Sequence, residues 1–160
     1  MNSKKYKVIK DTREQLGWEF NPGPSCDGMT IATLKTGDYS LEGFENKFVI
    51  ERKGDLSEFS NNITQQRFHD ELLRLEEFEL PFIVLEFTME DIYKFPQSTQ
   101  IPPSKYKYIK ITPQFIVKAL LDIEVKYKTK IILAGKYGKE VASSLFKRVC
   151  EYYGQTKESS

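Results

Sequence analysis

Residues 36–53 read Thr-Gly-Asp-Tyr-Ser-Leu-Glu-Gly-Phe-Glu-Asn-Lys-Phe-Val-Ile-Glu-Arg-Lys. Two strand-like segments, Tyr39 to Glu42 and Lys47 to Arg52, flank the turn residues Gly43-Phe44-Glu45-Asn46, which is the pattern of a β-hairpin. With a four-residue loop, Glu42 faces Lys47. Counting back along both strands then sets Asp38 directly opposite Glu51, with Cβ atoms roughly 5 Å apart. Side chains alternate along a strand, so Glu51 and Lys53 share one face while Arg52 points to the other, alongside Phe48 and Ile50.

Outward from the hairpin, Tyr6 to Lys10 reads as a first strand, followed by Asp11-Thr12-Arg13-Glu14. The stretch around Asn21-Pro22-Gly23-Pro24 cannot be a long helix. Met29 to Leu34 reads as a strand. On the other side, Leu56 to Phe78 is helical with a break near Asn61-Asn62, and its second half is amphipathic through Phe68, Leu72 and Leu75. Pro81 begins the apolar run Phe82 to Phe87, a strand covered on both faces. A polar, proline-containing loop is expected from Thr88 to Lys110. Thr112-Pro113 starts a helix with a hydroxyl cap and a first-turn proline, which runs to about Tyr127. Lys130 to Ala134 reads as another buried strand, and Lys139 to Tyr153 as a closing amphipathic helix. Strands alternating with helices in this order predict an α/β fold, a three-layer α/β/α sandwich around a central mixed sheet. Residues 1–153 are expected to form one domain and 154–160 a frayed polar tail.

The bulk composition agrees with an ordered domain. The chain has 160 residues, 39% hydrophobic and 29% charged, with a net charge of +1, enough for a core without staples. No apolar run approaches the roughly 20 residues that cross a bilayer, so no membrane role is expected. Met1 to Lys10 lacks an apolar leader, so a reducing, cytoplasmic setting is expected. Cys26 and Cys150 lie far apart and read as free thiols. His69 stands without companions, a poor zinc signal. Gly135 to Lys139 lacks the spacing of a phosphate loop, so no nucleotide cofactor is expected.

The opposed pair Asp38 and Glu51 carries the chemistry. Two carboxylates this close repel each other unless a cation joins them. Magnesium takes one or two carboxylates with water and phosphate oxygens. Lys53 beside the pair would orient an attacking water or stabilise charge on a phosphate. The plainer alternative is that Asp38 caps a turn after Gly37 and that Glu51-Arg52-Lys53 is a solvated strand end.

Gly37-Asp38 followed by Glu51-Arg52-Lys53 resembles the GD…ERK signature of the XPF-type structure-specific nuclease domain, within the restriction-endonuclease-like superfamily. Asp11-Thr12-Arg13-Glu14 looks like that family's acidic segment, and Arg67 to Leu72 like its arginine-bearing helix. The similarity extends from about Lys7 to Val149. It implies a DNA endonuclease dependent on Mg2+ or Mn2+, often acting at branched or flap DNA in repair or recombination. Carried over by position, Asp38 and Glu51 are metal ligands, Glu14 a third, and Asp11 a catalytic residue nearby. Lys53 is the catalytic lysine, Arg52 supports the site from the opposite face, and Arg67 reaches toward the site or the DNA backbone. Asp55 and Glu58 compete for the family's last acidic position, which stays unassigned. The chain resembles short standalone versions without a helix-hairpin-helix module. Relatives pair through their nuclease domains, which implies a homodimer through the last two helices.

Lys105-Tyr106-Lys107-Tyr108-Ile109-Lys110 interleaves aromatics with cations. Such a segment either binds DNA through Lys105, Lys107 and Lys110 or packs its tyrosines on the core with the lysines in solvent. Likewise Arg67 either serves the site or pairs with Glu71 along its helix. The competing function is a non-catalytic DNA-binding or partner-binding scaffold on the same fold. Retention of Asp38, Glu51 and Lys53 together argues against it.

Overall fold

In the computed structural model, residues 4–154 are described. The tail expected over 154–160 lies outside them apart from Gly154. The strands are β1 (Tyr6–Asp11), β2 (Cys26–Ala32), β3 (Tyr39–Leu41), β4 (Phe48–Lys53), β5 (Leu80–Leu85) and β6 (Lys130–Leu133). The helices are α1 (Leu56–Asn62), α2 (Gln66–Leu75), α3 (Met89–Tyr93), α4 (Pro113–Lys126) and α5 (Gly138–Tyr153). The strands form one sheet in the order β2-β1-β3-β4-β5-β6. It is mixed: β3 runs antiparallel to β1 and β4, while β1–β2, β4–β5 and β5–β6 are parallel.

Two apolar clusters cover the two faces. Val49, Ile83 and Leu85 pack with Leu56, Phe59, Phe68, Leu72, Leu75 and Ile116 from α1, α2 and α4. On the other face, Phe48, Ile50, Phe82 and Val84 meet Phe146 and Val149 of α5, with Trp18 and Phe20 completing the layer. The expected three-layer sandwich is therefore present, because each strand presents alternate residues to the two helical layers. The break at Asn61-Asn62 is present as well, with α1 ending at Asn62 and α2 starting at Gln66.

The structure corrects the reading at three elements. The second strand runs over Cys26–Ala32, where Met29 to Leu34 was expected. It starts early through an irregularity opposite Tyr6 and Val8, where Gly28 takes a φ of 92°, open to glycine. It stops early because the Leu34 amide donates to the Asp11 carboxylate at 2.7 Å. β6 is half-buried, because it is the sheet's edge strand. The segment from Thr88 to Lys110 contains α3 and a 3-10 turn over Pro103–Tyr108. Thr88 and Asp91 form a reciprocal capping box at the start of α3, a pattern present in the sequence.

Candidate active site

The site sits at the open end of the β3–β4 pair, on the face that α1 and α2 cover. Tyr39 pairs with Ile50, the register that a four-residue loop dictates. One step further, the Asp38 amide donates to the Ile50 carbonyl at 2.9 Å. An Asp38 carboxylate oxygen accepts from the Arg52 amide at 2.7 Å. Asp38 and Glu51 are thereby brought together, close enough for each charge to act on the other. Gly37 makes this approach feasible. Its φ is 85°, and a Cβ there would lie 2.0 Å from Val49 Cγ2.

The electrostatics follow from burial. Desolvation, then the Asp38 and Glu71 carboxylates, push Glu51 well above its ordinary pKa, against the pull of Lys53. Asp38 is also raised by burial, although the Arg52 amide and Lys53 oppose that shift. Lys53 Nζ lies 3.5 Å from Glu51 Oε1 and 3.5 Å from Glu71 Oε1. Burial works against its charge, but Glu51, Glu71 and Asp38 outweigh it and raise the pKa of the ammonium.

Arg52 extends to the opposite face, as alternation requires. Its guanidinium meets Glu86, lies 3.7 Å from Glu14 and sits 5.8 Å from the centre of the Trp18 ring. Glu14 is pushed up to about 7, first by burial and then by Asp38, against the lowering effect of Arg52 and Lys10. It is thus near the pair electrostatically while its ion-pair partner is Arg52.

Asp11 is committed elsewhere. Its carboxylate accepts from the Leu34 amide at 2.7 Å and from Arg13 Nε at 2.7 Å, tying the ends of β1 and β2 together. Burial alone would raise its pKa, but the bonds from Arg13 and Leu34 lower it. Asp55 accepts from the Ser57 amide and hydroxyl, both at 2.9 Å, as the cap of α1. Glu58 and Arg67 line a polar pocket of about 50 Å³ together with Lys53, Asn62 and Glu71. Arg67 is exposed there. Lys105, Lys107 and Lys110 are exposed on the 3-10 turn and just after it, and no observed contact joins them to the acidic pair.

Two groups at the site were missed in the sequence. Glu71 reaches Lys53 and Glu51 from α2, which a helix-surface reading assigned to Arg67. Arg13 is bound to Asp11, and the negative charges of Asp38 and Glu51 act on it as well. Its place between the acidic residues 11 and 14 was the available signal.

The residues suit a hard divalent cation. Among the described residues no three acidic, histidine or cysteine side chains form a closed metal cage, but magnesium needs only one or two carboxylates beside water and phosphate. Asp38 and Glu51 supply them, at a place where burial makes two negative charges costly without a cation. Glu71 adds a buried carboxylate oxygen beside Lys53.

The ERCC4 domain family model matches residues 11–145. Among solved structures, the chain is similar to XPF from Aeropyrum pernix, with a TM-score of 0.62 at 19% identity over 93% of this chain. The same protein in complex with DNA matches with a TM-score of 0.59 at 19% identity, covering 91% of this chain and 64% of that one. This chain spans 63% of the length of the first of these. No curated protein sequence matches significantly. The likeness bears out the restriction-endonuclease-like sandwich. Sequence and fold together place the chain in the ERCC4 domain family, the XPF-type nuclease domains.

Proposed function

We propose that the chain is a divalent-metal-dependent DNA endonuclease whose centre is Asp38, Glu51 and Lys53. The observation that carries this reading is the buried carboxyl pair with a charged lysine 3.5 Å from one member. Asp38 and Glu51 would hold Mg2+ or Mn2+, which supplies Lewis acidity toward a phosphate oxygen and a more acidic bound water. Lys53, charged and two residues further along the same face of β4, stabilises the extra negative charge of the pentacovalent phosphate. Arg52, with Glu14 and Glu86, fixes the strand end from behind. Asp11 supports the site through the strand ends that it ties. Arg13 and Arg67, both exposed, would neutralise DNA phosphates on either side.

Branched or flap DNA is the substrate class we infer from family membership, and a DNA complex is known for the Aeropyrum pernix XPF. A role in repair or recombination and an intracellular setting accord with that substrate. A homodimer through α4 and α5 is also proposed, supported by exposed Leu121, Val125 and Tyr152. A single monomer species in sedimentation at high micromolar concentration rejects it.

The test is a cleavage panel of flap, fork, duplex and single-stranded DNA with magnesium or chelator. Cleavage in magnesium is expected, falling on the order of a hundredfold or more in folded Asp38→Asn, Glu51→Gln and Lys53→Ala variants. A parent inert on every DNA, or variants as active as the parent, would overturn the proposal.

A further inference from the structure

A lysine ammonium sits on four methylenes, each able to rotate, and does not stay at one point unless its surroundings hold it. Lys53 is held on two sides. Its side chain is only 11% exposed, with Glu51 Oε1 on its own strand and Glu71 Oε1 on α2 each 3.5 Å from Nζ. The Phe68 ring centre lies 5.5 Å from the same nitrogen. Phe68 and Glu71 are three residues apart, so one face of α2 presents both to Lys53.

The two carboxylates differ in their commitments. Glu51 belongs to the pair with Asp38 and is the oxygen donor that a cation would claim. Glu71 comes from another element, and its buried Oε1 faces the Lys53 ammonium at 3.5 Å. On the reading of this site as a nuclease centre, we propose that Glu71 is a positioning residue, the anchor that keeps Lys53 beside the reacting phosphate once Glu51 is engaged by the cation. Glu71 acts through Lys53 and does not itself touch the substrate. α2 starts afresh at Gln66 after α1 ends at Asn62. The restart lets the helix aim Phe68 and Glu71 at the end of β4 while Leu72 and Leu75 stay in the core.

The experiment compares the full chain with Glu71→Ala, Glu71→Gln and Glu71→Leu. Leucine keeps the bulk if the shorter side chain fails to fold. Asp70→Asn, whose carboxylate accepts from Gln66 on the helix surface, is the control. Three quantities are read: kcat and KM on cleaved DNA, Mn2+ affinity by calorimetry, and the Lys53 side-chain ammonium resonance by NMR. Removing the acceptor is expected to lower kcat on the order of tenfold or more, with KM and Mn2+ affinity within about twofold. The ammonium resonance should broaden away in the alanine and leucine variants. Glutamine, which keeps a carbonyl at the same reach, should restore the resonance and bring kcat back to within about threefold.

A sharp Lys53 resonance in both the alanine and leucine variants overturns the proposal. So does an Mn2+ affinity that falls on the order of tenfold in the glutamine variant, since Glu71 would then be a ligand. A parent without cleavage sinks the nuclease reading alone, because the resonance still decides whether Glu71 holds Lys53.

Discussion

The carboxyls of Asp38 and Glu51 are expensive for the folded chain. Their burial beside Glu71 leaves like charges in a poorly solvated place, and function is what such an arrangement trades stability for. Glu51→Gln should therefore raise the melting temperature of the metal-free protein by a few degrees at pH 8 while abolishing the stabilisation that Mn2+ gives the parent. A melting temperature that falls in chelator, or Mn2+ stabilisation that survives, contradicts this. Acidity works the same way. Glu14 releases its proton near 4.5 in the unfolded chain and about 7 in the folded one. Between those values the folded state binds more protons, so stability falls as pH rises through the window. Asp11 has its pKa lowered, and its contribution is lost only below that range. Melting curves in chelator should decline from pH 5 to pH 8, and a rise would count against the buried carboxyls as described. At this scale the sequence showed the pair and Lys53, because a hairpin count and strand alternation are local rules. Glu71 was hidden, because its aim depends on how α2 docks, and along its own helix it looks like a partner for Arg67.

Elements explain why the pair exists at all. β3 is only three residues long, and its approach to β4 depends on the backbone before it. A side chain at Gly37 would meet both a φ of 85° and the Val49 methyl. Gly37→Ala is expected to destabilise the fold on the order of 2–4 kcal/mol, combining left-handed strain with overpacking. Urea unfolding measures it, and a loss under about 0.5 kcal/mol would show that β3 is not held this way. The sandwich was legible because the short apolar runs of β4 and β5 differ in length and spacing from the helical periodicity of α2 and α5. Two features were not. An apolar segment such as Lys130 to Leu133 looks the same at the edge as at the centre of a sheet, since pairing partners are nonlocal. The short α3 is decided by its capping box, which the surrounding loop-like composition concealed.

For the whole molecule, 24 basic residues against 23 acidic ones leave a net charge of +1, too little for strong bulk attraction to DNA. DNA affinity should accordingly be modest and depend on where the lysines lie. Replacing Lys105, Lys107 and Lys110 by glutamine should reduce the salt slope of DNA binding by about 2–3. An unchanged slope removes this segment from the DNA interface and leaves its tyrosines as packing groups. The proposed centre depends on a cation between the two strands of one hairpin. Its most direct test is a crystal soaked in Mn2+ and measured for anomalous scattering. A peak about 2.1 Å from carboxylate oxygens of both Asp38 and Glu51 is the predicted result. A soaked, DNA-cleaving protein with no peak at those oxygens, or with Mn2+ held elsewhere, would contradict it.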